Sequence, residues 1–231
     1  MFAASVLTQL SAYIFYILLP LLALYIAYLI ITKAFNDMGF SSFEAIIIVF
    51  VSFLLGSGLF DGYIGVSLSN IYLFTYGNWI VGINTGGAVI PIVLSIYLTI
   101  KNKLQLSRVL LGTIIVAIIT YFVTSPDPQK GIVSKFPFWL LPIFFASFAS
   151  IFLSWKDKRK AAPLAYISGT IGVLIGADFF HLIELLEIEI TAKTPAIIGG
   201  ANVFDMVFVT GILAVIVDGI LIYHEKRKAI S

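Results

Sequence analysis

The chain has 231 residues, 60% of them hydrophobic and 11% charged, with a formal net charge of +2 and a mean hydropathy of +1.06. So few charges cannot cover a soluble domain of this length, and the composition implies a polytopic membrane protein with no soluble domain. Cysteine is absent, which excludes disulfides, thiol chemistry and Cys-ligated metals; the basic residues sit in short loops and form no patch that nucleic acid would need.

Apolar runs of bilayer length recur along the chain and predict an all-α membrane protein of seven transmembrane helices in a single membrane domain, 1–231. The first runs from Ser11 to Thr32 with Pro20 inside. It lacks a basic n-region and a small-residue cleavage site, so it reads as a retained span. The second covers Phe43 to Phe60 and extends toward Val66. The third, Trp79 to Ile100, holds Asn84, Gly86, Gly87 and Pro91. Val109 to Thr124 is the fourth, Phe136 to Trp155 the fifth with Pro142, Pro163 to Ile183 the sixth, and Val203 to Tyr223 the seventh.

Lys33, Lys101, Lys103, Arg108, Lys156, Lys158, Arg159, Lys160, Lys226, Arg227 and Lys228 fall in alternate loops and the C-terminal tail. The other loops hold only Lys130, Lys135 and Lys193. This bias predicts a multi-pass inner-membrane protein with its N-terminus outside and its C-terminus in the cytoplasm. Glu184, Glu187 and Glu189 fall on the outer side. So does the longest loop, Asp61 to Asn78, in which Tyr63, Tyr72, Phe74, Tyr76 and the adjoining Trp79 suit an aromatic belt. Asn70 to Tyr76 suits a short interfacial hairpin. Ser125-Pro126-Asp127-Pro128 reads as a turn without a function.

Three local likenesses suggest a parallel repeat of residues 11–100 and 136–223 joined by a linker span at 109–124, a 3+1+3 arrangement. Leu18-Leu19-Pro20 matches Leu140-Leu141-Pro142. The stretch from Leu54 to Asp61 resembles Leu174 to His181. Gly86-Gly87-Ala88 matches Gly199-Gly200-Ala201. Small transporters built from such repeats bind cargo between the halves. Symmetric packing would bring Asp61, Asp178 and His181 together near the outer leaflet, joined by Asp205 and Asn84. On the sixth span Ala165, Gly169, Gly172 and Gly176 share one face that a neighbouring backbone can approach closely. On the seventh, Asn202 and Asp205 share a face, and Asp218 lies on the other side, near the basic tail, as a paired or snorkelling acid.

Acids inside spans are costly and default to function. Asp178 and Asp205 on consecutive spans could share a proton and activate water. That arrangement resembles intramembrane aspartyl proteases of the presenilin type, but their Gly-x-Gly-Asp and Pro-Ala-Leu elements are missing. Asp178, His181 and Glu184 form an i, i+3, i+6 stripe that could meet a divalent ion. With only two histidines a catalytic zinc is disfavoured, and no metal or other cofactor is assigned. Asn84 with Gly86 and Gly87, and Gly199, Gly200 and Asn202, form a pair of interruptions that could line a carrier site or simply pack tightly.

SPDPQKGI (Ser125 to Ile132), INTGGAVIPIVLSIYL (Ile83 to Leu98), APLAYISGTIGVLIGADFFHL (Ala162 to Leu182) and IIGGANVFDMVFVTGI (Ile197 to Ile212) resemble the prokaryotic membrane proteins of the domain of unknown function 1614 family. The resemblance implies an integral membrane protein, favours Asp178, Gly199, Gly200 and Asp205 as shared features, and names no reaction. The leading expectation is a carrier of a small solute or ion, proton coupling included. Its binding residues would be Asp178, Asp205, His181, Asp61, Asn84, Asn202, Gly86, Gly87, Gly199 and Gly200. The alternatives are a protease with an Asp178/Asp205 dyad and a non-catalytic subunit of a membrane complex. The expected partners are the lipid bilayer and a small solute or ion, and a homo-oligomer is compatible with the pattern.

Overall fold

The computed structural model describes residues 2–129, 131–200 and 206–228, with side chains between 15 and 223 except at 64. It is mostly helical, but not all-α. In chain order the elements are α1 (Phe2–Asp37), α2 (Ser42–Gly56), α3 (Asp61–Ile64), β1 (Asn70–Tyr76), β2 (Trp79–Asn84), α4 (Ile90–Lys101), α5 (Leu106–Val123), β3 (Thr124–Asp127), β4 (Gly131–Ser134), α6 (Leu141–Leu153), α7 (Ala161–Val173), α8 (Phe180–Leu186), β5 (Thr194–Ile198) and α9 (Met206–Lys228). A π-helical stretch, Thr85–Val89, leads into α4, and another, Leu174–Phe179, joins α7 to α8.

Among the described residues, four helices are long and apolar enough to cross a membrane: Phe15–Asp37, Leu106–Val123, Lys158–Leu186 and Met206–Tyr223. Ser42–Gly56, Thr85–Lys101 and Phe138–Leu153 are shorter apolar helices. The third expected span loses its first six residues to β2. Trp79 to Asn84 is rich in aromatic and β-branched residues, and it pairs on both edges instead of coiling. β1 and β2 form the hairpin expected near Asn70 to Tyr76. β2 then runs parallel to β5, with Trp79 opposite Thr194 and Ile83 opposite Ile198. Ser125 and Pro126 lie in β3, whose partner β4 completes a second hairpin, so the turn falls after Asp127. All five described strands cap one end of the helices. At the other end Lys101 Nζ donates to the Gly39 carbonyl (2.9 Å), and Lys160 Nζ to that of Lys103 (3.4 Å).

Local signals set the helix starts. Ser41 caps α2 through a reciprocal pair: its hydroxyl accepts from the Glu44 amide, and Glu44 accepts from the Ser41 amide at 2.7 Å. α7 is the hub. Nearly every residue from Ala161 to Val173 is buried, with α4, α5, α6 and α9 around it. The expected glycine face divides between two neighbours. Gly169 lies 3.2 Å, from an ideal Cβ, from Gly211 of α9, whereas Gly172 and Gly176 face Val116 and Ala117 of α5. α2, its counterpart in the expected repeat, instead exposes Phe43, Ile46, Ile47 and Phe50.

Two sequence expectations about single residues change. Trp79 leaves the aromatic belt. It is 3% exposed, packs in a small core with Val81, Leu185 and Ala196, and its indole donates to the Ile188 carbonyl at 3.0 Å. Tyr63, Tyr72, Phe74 and Tyr76 remain exposed, as a belt requires. Asp218 does not snorkel; it is buried inside the bundle, because α6 and α9 pack closely along that face.

A Cβ on Gly176 would collide with the Ala117 carbonyl, so Gly176→Ala must push α5 and the π-helical stretch apart. The expected loss is about 1–3 kcal/mol, read as a lower unfolding midpoint in detergent. Gly62→Ala, which has open space, serves as the neutral control. Equal midpoints for both variants would show that the helices do not approach this closely.

Candidate functional site

Each half of the chain brings a strand to a glycine pair and then to a helix. In the first, Asn84 ends β2 and caps the π-helical stretch. Its Oδ1 accepts the Gly87 amide at 2.7 Å, while its Nδ2 donates to the Gly56 carbonyl (3.1 Å) and to Asn70 Oδ1 (3.0 Å). Asparagine suits this place because one side chain both accepts for the helix start and donates to two neighbours. In the second, β5 ends at Gly199, whose φ of +67° is one that L side chains rarely adopt.

The two glycine turns touch backbone to backbone. A Cβ on Gly87 would strike the Gly199 carbonyl, and one on Gly86 would strike the Ser52 carbonyl of α2. A Cβ on Gly199 would lie 2.7 Å from that of Ala88. The seam is close because no side chain separates the chains.

Asp178 sits on the π-helical stretch beside this seam. Its Oδ2 accepts the Gly199 amide hydrogen at 2.7 Å, a charge-assisted bond that ties the α7–α8 connection to the β5 turn. π-Turns re-aim a side chain relative to a regular helix and gather at functional sites. Here the turn places Asp178 in a cleft of about 480 Å³ at the sheet end. The cleft lies among β5, Trp79 of β2, the β3–β4 hairpin and α8. Leu182, Leu185 and Ala196 make an apolar wall, and Asp127, Gln129 and Thr194 add polar groups.

The expected site residues separate into three groups. Asn84, Gly86, Gly87, Gly199 and Asp178 come together at the seam, and Gly200 borders the cleft. Asp61 does not join them; it holds its own loop. Its carboxylate accepts from the Ser69 hydroxyl (2.6 Å), the Leu68 amide (2.8 Å), the Ser67 hydroxyl (3.0 Å) and the Ser69 amide (3.1 Å). His181 turns toward α5 instead of toward Asp178. It stacks on Tyr121 with centroids 4.6 Å apart, its Nδ1 lies 2.8 Å from Glu184 Oε2, and its Nε2 faces the Tyr121 carbonyl at 3.2 Å. Tyr121 donates to the other Glu184 oxygen at 2.6 Å. The Asp178–His181–Glu184 stripe is thereby split between two neighbours, and no metal-holding group of His, Asp and Glu occurs among the described residues. Asn202 and Asp205 lie outside the described residues.

Sequence reasoning missed Asp127, Gln129 and Thr194 in the cleft, and Tyr121 beside His181. Thr194-Pro195-Ala196-Ile197-Ile198 before a glycine pair carries a readable strand signal. The Asp127 hairpin carried only a turn signal.

A family model described as "Protein of unknown function (DUF1614)" matches residues 63–217, well over half of the chain, and the chain belongs to that family. The matched stretch includes both glycine turns and every residue of the cleft named above. No curated protein and no solved structure matches the chain.

The bonds on Asp61, first the Ser69 hydroxyl and then the Leu68, Ser67 and Ser69 groups, hold its carboxyl below the usual carboxylate range against a smaller opposing effect of burial. A depressed folded value stabilises the loop fully above the unfolded pKa of about 4 and is lost as pH falls through the folded one. Protection of the Leu68 and Ser69 amides against hydrogen exchange, taken relative to the intrinsic rate at each pH, should therefore fall in acid and, at neutral pH, in Asp61→Asn. Exchange that ignores both changes would remove this role. Asn84→Ala loses a cap and strands the Gly87 amide, an expected cost of about 1–3 kcal/mol, read by chemical unfolding in detergent.

Proposed function

We propose that this protein binds and carries a small solute or ion across a membrane, with the cleft over Asp178 as its binding site. The observation that carries this reading is the placement of an acid from a π-helical turn in a cleft of ligand size, next to two glycine turns in backbone contact. The described lining holds the Asp127 and Asp178 carboxylates, and a cation or protonated amine is the cargo this reading assigns to it.

The arrangement expected of the whole chain belongs to the same proposal. Seven spans require α2, α4 and α6, the shorter apolar helices, to cross together with the four longer ones. The clustering of Lys33, Lys101, Lys103, Arg108, Lys156 and Lys160 away from the strands supports an outer sheet end and a cytoplasmic basic end. The parallel pairing of β2 with β5, each running into a glycine pair, supports a duplicated unit.

Proteoliposomes loaded with buffer and offered radiolabelled rubidium or methylammonium test the reading. Wild-type protein should concentrate at least one of them, and Asp178→Asn should reduce uptake about tenfold or more while the protein elutes as the folded species. No uptake of either probe, or equal uptake by the variant, would sink the proposal.

A further inference from the structure

At the basic end of the bundle, away from the cleft, lies an acid to which nothing above gives a role. Asp218 stands well inside α9 and is 1% exposed. It faces α6, where Ser147, Ser150 and Ser154 follow one another along the packed side of the helix and are all buried. The Ser150 Oγ lies 2.7 Å from the Ser147 carbonyl and 2.8 Å from Asp218 Oδ1.

A hydroxyl has one hydrogen. If Asp218 is ionised, both neighbours of Ser150 are acceptors and only one contact can be a hydrogen bond. The other would press two oxygen lone pairs together in a buried place, where unmet polar groups are most costly. If Asp218 carries a proton, its O–H donates to Ser150 Oγ while Ser150 donates to the Ser147 carbonyl. Both contacts are then satisfied. The geometry is that of a carboxylic acid.

The opening nearest this acid lies at the basic end. Ser154 donates to the Ser150 carbonyl one turn further along α6. Ser154 also lines a cleft of about 340 Å³ with Lys103, Arg108, Lys156, Asp157 and Lys160. The charged groups near Asp218 are few. From α1, Asp37 reaches over Gly219 and is held by Lys33 at 2.7 Å. The facing residues of α6 are serines. α7 brings Tyr166 and Thr170 against Gly211, about two helical turns further up α9. α9 itself adds no other charge within its described side chains.

We propose that Asp218 is a proton-binding site on the side of the bundle toward its basic end. A metal cation fits the place poorly. The site offers one carboxylate and a hydroxyl already engaged, and the Lys and Arg side chains of the cleft repel cations. A proton needs only the one oxygen. This inference stands apart from the carrier reading, since Asp178 and its cleft lie at the opposite end of the helices.

Infrared spectroscopy of the full-length protein in phosphatidylcholine nanodiscs tests it. Near neutral pH the wild type should show the C=O stretch of a buried protonated carboxyl. That band should be missing in Asp218→Asn, whose amide donates to Ser150 in the same way. In Ser150→Ala the band should remain and change frequency, because its hydrogen-bond acceptor is gone. A wild-type spectrum unchanged by Asp218→Asn would show an ionised Asp218 and overturn the proposal. If Asp218→Asn does not fold, Ser150→Ala decides: a shifted band supports the site, and an unmoved or absent band overturns it.

Discussion

Backbone lies directly against backbone where Gly87 meets the carbonyl of Gly199, and where Gly86 meets that of Ser52. Side chains on these residues would keep the main chains apart. Here their absence lets α2, the start of α4 and the end of β5 close on one another, and this contact decides how the two parallel strands can sit. It also sets the position of the Gly199 amide, to which Asp178 is bonded. The cleft beyond depends on that geometry. A single methyl group at the seam would displace the strand end and the acid's anchor together. Close packing transmits such a displacement, because interiors hold little free space to absorb it.

The sheet end and the basic end solve different problems. At the sheet end the chain leaves helical geometry, and its backbone groups must find partners in strands. Trp79, with its indole bonded to the Ile188 carbonyl, closes a small apolar core beneath β2 and β5. Tyr121, His181 and Glu184 lock α5 to α8 beside it. At the basic end the helices stay regular, and the connections are short and held by lysine side chains donating to carbonyls. Irregular backbone, cleft and acid thus collect where strands replace helix ends, consistent with the rule that non-helical chain in a membrane protein must be buried in protein or line a cavity.

Much of this was legible in the sequence, though unevenly. Runs of apolar residues locate the longer helices, because bilayer length and helical rise leave few alternatives. The glycine pairs stood out as places of close approach, and Gly87 does meet Gly199. The strands were harder to see. Trp79 to Asn84 continues straight into an apolar helix, and hydropathy does not distinguish a buried strand from a helix. Only pairing with β5, more than a hundred residues away in the chain, makes that distinction. Asp61 was misjudged for a similar reason. An acid after an apolar run looks functional, but the serines and amides from Ser67 to Ser69 that satisfy it come from a loop fold that no periodicity announces. Asp218 erred the other way: proximity to basic residues in sequence suggested exposure, and the serine-lined side of α6 buried it.

One helix sets a dimension for the whole molecule. α1 runs unbroken from Phe2 to Asp37, 36 residues, and its contacts with the bundle lie near its last turns, around Ala34, Phe35 and Met38 just beyond it. At 1.5 Å per residue it measures about 54 Å, against a hydrocarbon core of about 30 Å. Upright, it would extend some two dozen ångströms beyond the lipid tails; to stay among them it must lean at roughly 55° from the bilayer normal. Among the described side chains of α1 the bundle holds those of the last turns, so a change of lean to match a bilayer's thickness would pivot beside Asp37.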